Sequence, residues 1–156
     1  MASHPIYQRQ VAGPLSVNWA AKYVGIPFAD GGCSFAGCSC WGLVRMVLRN
    51  ECLIEDLPSY GEISCRDLLA AARRIDRDCA SETWSKVAVP RQFDVATMFA
   101  MHDEKLKVVG HVGVMSSAAE ILHVWKETDA VNMPIAHPRV RFKIVGFFRH
   151  RELCNA

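Results

Sequence analysis

Cys40 stands where a helix is expected to begin. Glycines and small polar residues fill 27–39 and predict a loop. The residues after Cys40 place apolar side chains on one helical face: Trp41, Val44, Val47 and Leu48. Ser39 is suited to cap the first amides, and the positive end of the helix dipole would favour the thiolate form of Cys40. Cys40 is therefore a candidate nucleophile, with a structural role as the alternative.

Two histidines could serve a nucleophilic cysteine as base and as orienting partner. His111 opens one predicted strand and His123 lies in the next. A hairpin centred on Ser117 would pair Gly113 with Ile121 and set His111 directly opposite His123, with their Cβ atoms about 5 Å apart. One imidazole could then orient the other through a hydrogen bond, whereas two unrelated half-buried histidines are the alternative. The other histidines are expected at the surface: His4, His102, His137 and His150.

Metal binding is the rival chemistry for the same region. Cys33, Cys38 and Cys40 form a C-x4-C-x-C pattern, which differs from the C-x2-C pairing typical of structural zinc. A fourth ligand would have to come from His111 or His123. The chain contains no Walker loop, no G-x-G-x-x-G, no H-E-x-x-H and no G-x-S-x-G, which removes the commoner nucleotide, metalloprotease and serine-hydrolase interpretations.

Composition is that of a folded domain. The chain has 156 residues, 51% hydrophobic and 22% charged, and we expect residues 1–156 to form a single domain. The formal net charge of +2 is too small to indicate a nucleic-acid partner. No apolar run is long enough to predict a membrane span. The first residues lack the apolar stretch of a secretory signal, so we expect synthesis in the cytosol, where free thiols are the default for the seven cysteines.

Helical patterns come first along the chain and strand patterns follow, which predicts an α+β domain. Helices are expected over 16–24, with Ser16 as cap, over 40–49, and over 64–75, with a capping-box-like start at Ser64. The hydrophobic period then changes to two. Strands of a mainly antiparallel sheet are expected over 93–101, 105–116, 120–125 and 140–149, with a weaker candidate over 129–135.

The order of a helix-start cysteine, a strand His-Val-Gly and a second strand histidine resembles the NlpC family of papain-like cysteine peptidases, which cut peptidoglycan stem peptides. The resemblance spans most of the chain. It is carried by Gly25-Ile26-Pro27-Phe28 with Gly31-Gly32, by Cys40-Trp41-Gly42-Leu43-Val44-Arg45, by Leu57-Pro58-Ser59-Tyr60, by Phe93-Asp94-Val95-Ala96, by Gly110-His111-Val112-Gly113-Val114 and by Leu122-His123-Val124. The Cys-Trp-Gly-Leu-Val-Arg and Leu-Pro-Ser-Tyr motifs look like the branch found at phage tail tips.

The resemblance implies a papain-like NlpC-type fold, with N-terminal helices packed on a mainly antiparallel sheet and the nucleophile at a helix start. It assigns Cys40 as nucleophile, His111 as general base and His123 as orienting residue, with no metal and no cofactor. The chain has Ser39 where the family usually has aspartate and Phe28 where it often has tyrosine. Without that tyrosine hydroxyl, backbone amides near Cys40 would bind the oxyanion.

Substrate contacts are expected from Phe28, Ser39 and Trp41, and from Asp30, which could meet a free amino group or be only a turn residue. Specificity is expected to come from the loop 27–39 and from the segment 81–91.

The function implied is hydrolysis of the stem peptide, at the bond between γ-D-glutamate and the following diamino acid. A protein of the tail-tip branch would be made in the host cytoplasm, bind tail-tip or hub proteins, and act at the bacterial cell wall from the virion. The non-enzymatic alternative is a structural tail-tip or hub-binding module whose site is silent or occupied by zinc.

Overall fold

The structure is a computed structural model that describes residues 18–60, 63–102, 105–126 and 128–154. Its helices are a short 3-10 helix, Trp19–Lys22, and three α-helices: α1 (Cys40–Cys52), α2 (Leu68–Cys79) and α3 (Arg151–Cys154). A small hairpin of β1 (Cys33–Ser34) and β2 (Gly37–Cys38) precedes α1. The main strands are β3 (Trp84–Val87), β4 (Val95–His102), β5 (Leu106–Met115), β6 (Glu120–His123), β7 (Val131–Pro134) and β8 (Ile144–His150).

The six main strands form one antiparallel sheet in the order β3-β8-β4-β5-β6-β7. The helices that come first in the chain pack on this sheet, so the predicted α+β architecture is confirmed. Within the described ranges, no helix combines the length and the apolar character needed to cross a membrane.

Helix α1 begins at Cys40 as predicted. The backbone of Ser39 is extended and its Oγ accepts a hydrogen bond from the amide of Gly42 at 3.0 Å. Leu53 ends the helix in the left-handed conformation, with φ of 58°. The buried residues of α1 are Gly42, Leu43, Val44, Met46, Val47 and Leu48, while Trp41 is half-buried. This packing fixes the N-terminal end of α1, and with it Cys40, against the sheet.

The sheet has a core on each face. Val112 and Val114 of β5 pack with α1, whereas Met115 of β5 and Ile121 of β6 belong to the core on the opposite face. Because successive side chains of a strand point to opposite faces, His111 and Gly113 lie on the face of Met115.

The first and third predicted helices begin later than expected. Within 18–24, the described part of the first predicted helix, the structure has the 3-10 helix Trp19–Lys22, and the proposed cap Ser16 lies outside the described residues. Helix α2 starts at Leu68 because the Asp67 side chain accepts a hydrogen bond from the amide of Ala70 and takes the capping role. Ser64 instead donates a hydrogen bond to Asp30.

Strand β3 was not predicted, and it changes the environment of one histidine. Trp84 of β3 pairs with His150 of β8, and the two rings meet edge to face with centroids 5.0 Å apart. His150 is only 1% exposed, so the expectation of a surface position is wrong. His137 is exposed as expected, while His4 and the side chain of His102 lie outside the described residues.

A buried ion pair connects the first residues of β4 to β8. Asp94 is fully buried, and Arg149 donates to both of its carboxylate oxygens at 2.7 Å. The amide of Arg91 donates a further hydrogen bond to Asp94 at 2.8 Å. The Asp94 carboxylate thus links the turn that begins at Arg91 to strand β8, which lies beside the edge strand β3.

Replacing Asp94 with asparagine should lower the free energy of unfolding by about 3 kcal/mol, because it leaves the largely buried Arg149 guanidinium without a counter-charge. Urea denaturation measures the change. Glu55→Gln is the matched control, since its ion pair with Arg49 is exposed and its loss should cost less than about 1 kcal/mol. Equal losses in the two variants would contradict this role of Asp94.

Candidate active site

The thiol of Cys40 faces backbone amides at the N-terminal end of α1. The amides of Val112, Trp41 and Cys40 itself stabilise the thiolate, but burial outweighs them and raises the pKa of Cys40. The expected lowering of this pKa by the helix dipole is therefore not found. Cys40 rests as a neutral thiol surrounded by N–H groups that can also stabilise an oxyanion.

The amide of Val112 is available because strand pairing stops beside it. The amide of Met115 donates to Asp94 toward β4, whereas that of Ser116 donates to Glu120 toward β6. Amide directions alternate along a strand, so that of Val112 points toward β6. The β5–β6 pairing ends at Val114 and Leu122, which leaves a gap at Val112 where the Cys40 thiol lies.

His111 and His123 are in contact. Nε2 of His111 and Nδ1 of His123 are 3.2 Å apart, the hydrogen-bond contact that the hairpin predicted. The register that produces it differs from the prediction by two residues, since Met115 pairs with Ile121 rather than with Ala119. An even shift keeps every side chain on its face, so the rings meet diagonally rather than directly across the strands.

Gly113 allows this diagonal contact. Extending the observed register places His123 opposite Gly113. A Cβ at Gly113 would lie 2.7 Å from Cδ1 of Ile121 and 3.0 Å from Cβ of His123. A side chain at this position would force Ile121 and His123 to move, which accounts for the glycine of the His-Val-Gly motif.

Both imidazoles are buried and neutral at physiological pH. Burial, with His123 and Lys143 as smaller causes, holds the pKa of His111 well below its usual value. Burial together with Lys143 lowers the pKa of His123 to about 4. Because Nε2 of His111 is engaged with His123, its Nδ1 is the nitrogen left to act as a base.

The Cys40 thiol and the predicted base, His111, are not hydrogen-bonded to each other in this structure. Among the described side chains, no hydrogen bond connects Cys40 to either imidazole. His111 directly precedes Val112, whose amide faces the thiol, so the predicted base and the predicted nucleophile flank the same short stretch of β5. Catalytic hydrogen bonds are often long or incomplete before substrate binds.

Trp125 completes the histidine pair, and sequence reasoning missed it. Its ring stacks on His111 with centroids 3.8 Å apart and an interplanar angle of 13°. Nζ of Lys143 lies 4.4 Å from the centre of the same indole, and it must occupy the other face because His111 fills the first. The observed register, which differs by two residues from the predicted one, extends to place Trp125 opposite His111. The predicted register therefore did not bring these two residues together.

A partly enclosed cavity of about 110 Å³ opens beside Cys40. Gly31 and Ser39 of the loop line it together with Trp41 of α1, and their contact with a substrate stays a prediction. The segment 81–91 was expected to form the opposite side of the site. Among the described residues of that segment, only Trp84 lines the cavity. Helix α2 forms that side instead.

The predicted substrate-binding residues separate into two groups. Ser39 and Trp41 line the cavity, whereas Phe28 lines a different, shallow depression with Arg66 and Lys126. Asp30 already accepts hydrogen bonds from the side chain of Ser64 and from the amide and thiol of Cys65. In the structure Asp30 therefore fastens the approach to α2, and its binding of an amino group stays a prediction.

The zinc alternative finds no support in the geometry. All seven cysteines are free. Across the part of the chain that the structure describes, no group of three or more His, Cys, Asp or Glu side chains is arranged to hold a metal ion. Cys33 instead donates to the carbonyl of Gly42 at 3.5 Å.

Solved structures of NlpC/P60 domains share this fold. A Staphylococcus aureus protein described as similar to a lipoprotein of the NLP/P60 family matches with a TM-score of 0.56 and 18% identity over 84% of this chain. The match spans 38% of the length of that protein. The NlpC/p60 domain of the peptidoglycan hydrolase SagA matches with a TM-score of 0.53 and 16% identity, over 83% of this chain and 92% of that domain. No family model and no curated protein matches the sequence. The likeness establishes the NlpC/P60 fold.

Replacing Lys143 with glutamine should raise the pKa of both His111 and His123, because it removes a positive charge that opposes their protonation. Proton NMR titration of the imidazole signals measures both values without an activity assay. Lys107→Gln is the control, since Lys107 also lies over an aromatic ring, that of Phe99, and is not among the charges that act on either histidine. Unchanged titration in Lys143→Gln, or equal shifts in both variants, would contradict this assignment.

Proposed function

We propose that the protein is a cysteine peptidase that hydrolyses peptidoglycan stem peptides. The observation that carries the proposal is the Cys40 thiol at the start of α1, facing the Val112 amide beside the hydrogen-bonded pair of His111 and His123. The NlpC/P60 fold supports it, because a peptidoglycan hydrolase domain has the same architecture.

In this mechanism His111 acts as the general base. Its Nδ1 takes the proton from Cys40 Sγ as the sulfur attacks the peptide carbonyl, and the raised pKa of Cys40 makes this transfer concurrent with attack. The backbone amides around the thiol stabilise the oxyanion. His111 then protonates the leaving amine, and a water activated by the same imidazole hydrolyses the thioester and regenerates the thiol.

His123 and Trp125 orient the base. The mechanism requires that Nδ1 of His123 accept a hydrogen bond from Nε2 of His111, which is 3.2 Å away, and the indole of Trp125 covers one face of the His111 ring. Burial keeps the imidazole neutral, so it is ready to accept a proton at physiological pH.

The bond between γ-D-glutamate and the following diamino acid is the proposed target, on the strength of the family resemblance. Phage tail-tip delivery is proposed on the same basis. The two motifs typical of that branch contact each other: the indole of Trp41 donates to the carbonyl of Pro58 at 2.9 Å and stacks on Tyr60. Finding the protein in purified phage particles would support delivery, and finding it only in the host cell fraction would contradict it.

A silent structural module is the second candidate. The observation that favours it is the absence, among the described residues, of a hydrogen bond between Cys40 and His111 in a site where burial disfavours the thiolate.

Substitution of the triad separates the two candidates. Cys40→Ala should abolish cleavage of defined stem peptides, and His111→Ala should lower it by about 10²–10⁴-fold, because the attacking thiol loses its base. His123→Ala should cause a smaller loss, because the base remains but is no longer oriented. Mass spectrometry of the products measures the rate and identifies the bond cut.

Cys154→Ala is the matched control for these variants, since this cysteine is exposed on α3 and should not affect turnover. Cleavage that persists in Cys40→Ala would refute the mechanism. Absence of cleavage by the folded wild-type protein would favour the silent module.

A further inference from the structure

The walls of the cavity beside Cys40 are predominantly apolar, and three charged residues also line it: Arg45, Arg74 and Asp78. Ala71 and Ile75 of α2 form its roof, Val95, Val112 and Phe148 of the sheet form its floor, and Trp41 closes one side. Cys40 lies in the wall itself. A group attached to the carbonyl that Cys40 attacks can therefore extend directly into this space.

The cavity lies beneath α2, a helix that packs weakly against the sheet. Six residues of α1 are buried, whereas none of the described residues of α2 is. The helix is instead secured at its ends. Asp30 accepts hydrogen bonds from Ser64 and Cys65 before its start, and Asp78 accepts one from Tyr60 near its end. Small side chains such as Ala71 leave the centre unfilled.

Unfilled cavities destabilise a fold. We therefore expect the apolar space next to the nucleophile to bind a ligand. Apolar cavities of about 150 Å³ bind molecules the size of benzene. A volume of about 110 Å³ fits a chain of roughly four to six carbons.

We propose that the cavity beneath α2 binds an apolar acyl group of about four to six carbons, and that Cys40 accepts this group from an activated ester as a thioester. The proposal rests on the nucleophile of the proposed function and adds a second substrate class. Cys40 Sγ forms a bond to the carbonyl carbon, the ester C–O bond breaks, and the thiol proton passes through His111 to the departing alcohol. Water then cleaves the thioester to the carboxylic acid and restores the thiol.

Nitrophenyl esters of increasing chain length test this preference. With 4-nitrophenyl acetate, butyrate, hexanoate and dodecanoate, kcat/KM should rise roughly fourfold per added methylene up to hexanoate and then fall. Intact-protein mass spectrometry should show one hexanoyl adduct, absent from Cys40→Ala. N-acetyl-leucine 4-nitrophenyl ester distinguishes the two sources of such a group, since preference for it over hexanoate would identify a peptide side chain rather than a fatty acyl chain.

Two neighbouring alanines provide a matched pair of variants. Ala71→Leu fills the cavity, whereas Ala72→Leu adds the same side chain at a position that does not line it. The ratio of hexanoate to acetate kcat/KM should fall at least tenfold in Ala71→Leu and stay unchanged in Ala72→Leu. This ratio is taken within one protein preparation, so partial loss of folded protein does not alter it.

Equal ratios in the two variants, a chain-length profile that is flat, or no hexanoyl adduct on Cys40 would overturn the proposal. Stem-peptide cleavage by the same preparations separates this failure from that of the proposed function. If the wild type cuts stem peptides but shows no chain-length preference, the acyl site is refuted and the peptidase stands. If chain-length preference is present without peptide cleavage, the acyl site stands alone.

Discussion

The position of the site depends on where two strands stop pairing. The paired register of strands β5 and β6 ends at Val114–Leu122, so the amide of Val112 is directed into a gap. The Val112 amide is one of the groups that lower the pKa of Cys40, against the larger effect of burial. The packing of α1 against the sheet places its first residue, Cys40, at this gap. Because β5 and β6 separate beyond Val114 and Leu122, His111 and His123 can meet diagonally across Gly113.

Burial controls the charge state of the site more strongly than the helix dipole does. It raises the pKa of Cys40 and lowers that of His111, so both changes oppose a resting thiolate–imidazolium pair. Lys143 acts in the same direction on the histidines. In the proposed mechanism, charge develops only when a substrate carbonyl reaches the amides around the sulfur, and those amides stabilise the oxyanion.

Local sequence was sufficient to predict where α1 begins, because its cap, Ser39, accepts a hydrogen bond from the amide of Gly42, three residues further along the chain. Local sequence was also sufficient for the contact between His111 and His123, since a register error of two residues preserves the face of every side chain. Features that depend on distant partners were missed. Trp125 required the correct register, β3 required the partner strand β8, and the cavity required the position of α2.

The protons on the two imidazoles decide what the pair can do. For Nδ1 of His111 to accept the Cys40 proton, its Nε2 must donate to Nδ1 of His123, and His123 then carries its proton on Nε2. That nitrogen is buried and has no hydrogen-bond partner among the described residues. An unpaired buried N–H costs about 1–3 kcal/mol. The opposite tautomer leaves only a lone pair unmatched at His123, but it puts a proton on Nδ1 of His111 and removes the base. Each tautomer therefore leaves one buried group unmatched at Nε2 of His123, an N–H in the tautomer that the proposed mechanism needs and a lone pair in the other, so this nitrogen bears on the proposed chemistry as directly as Cys40 does.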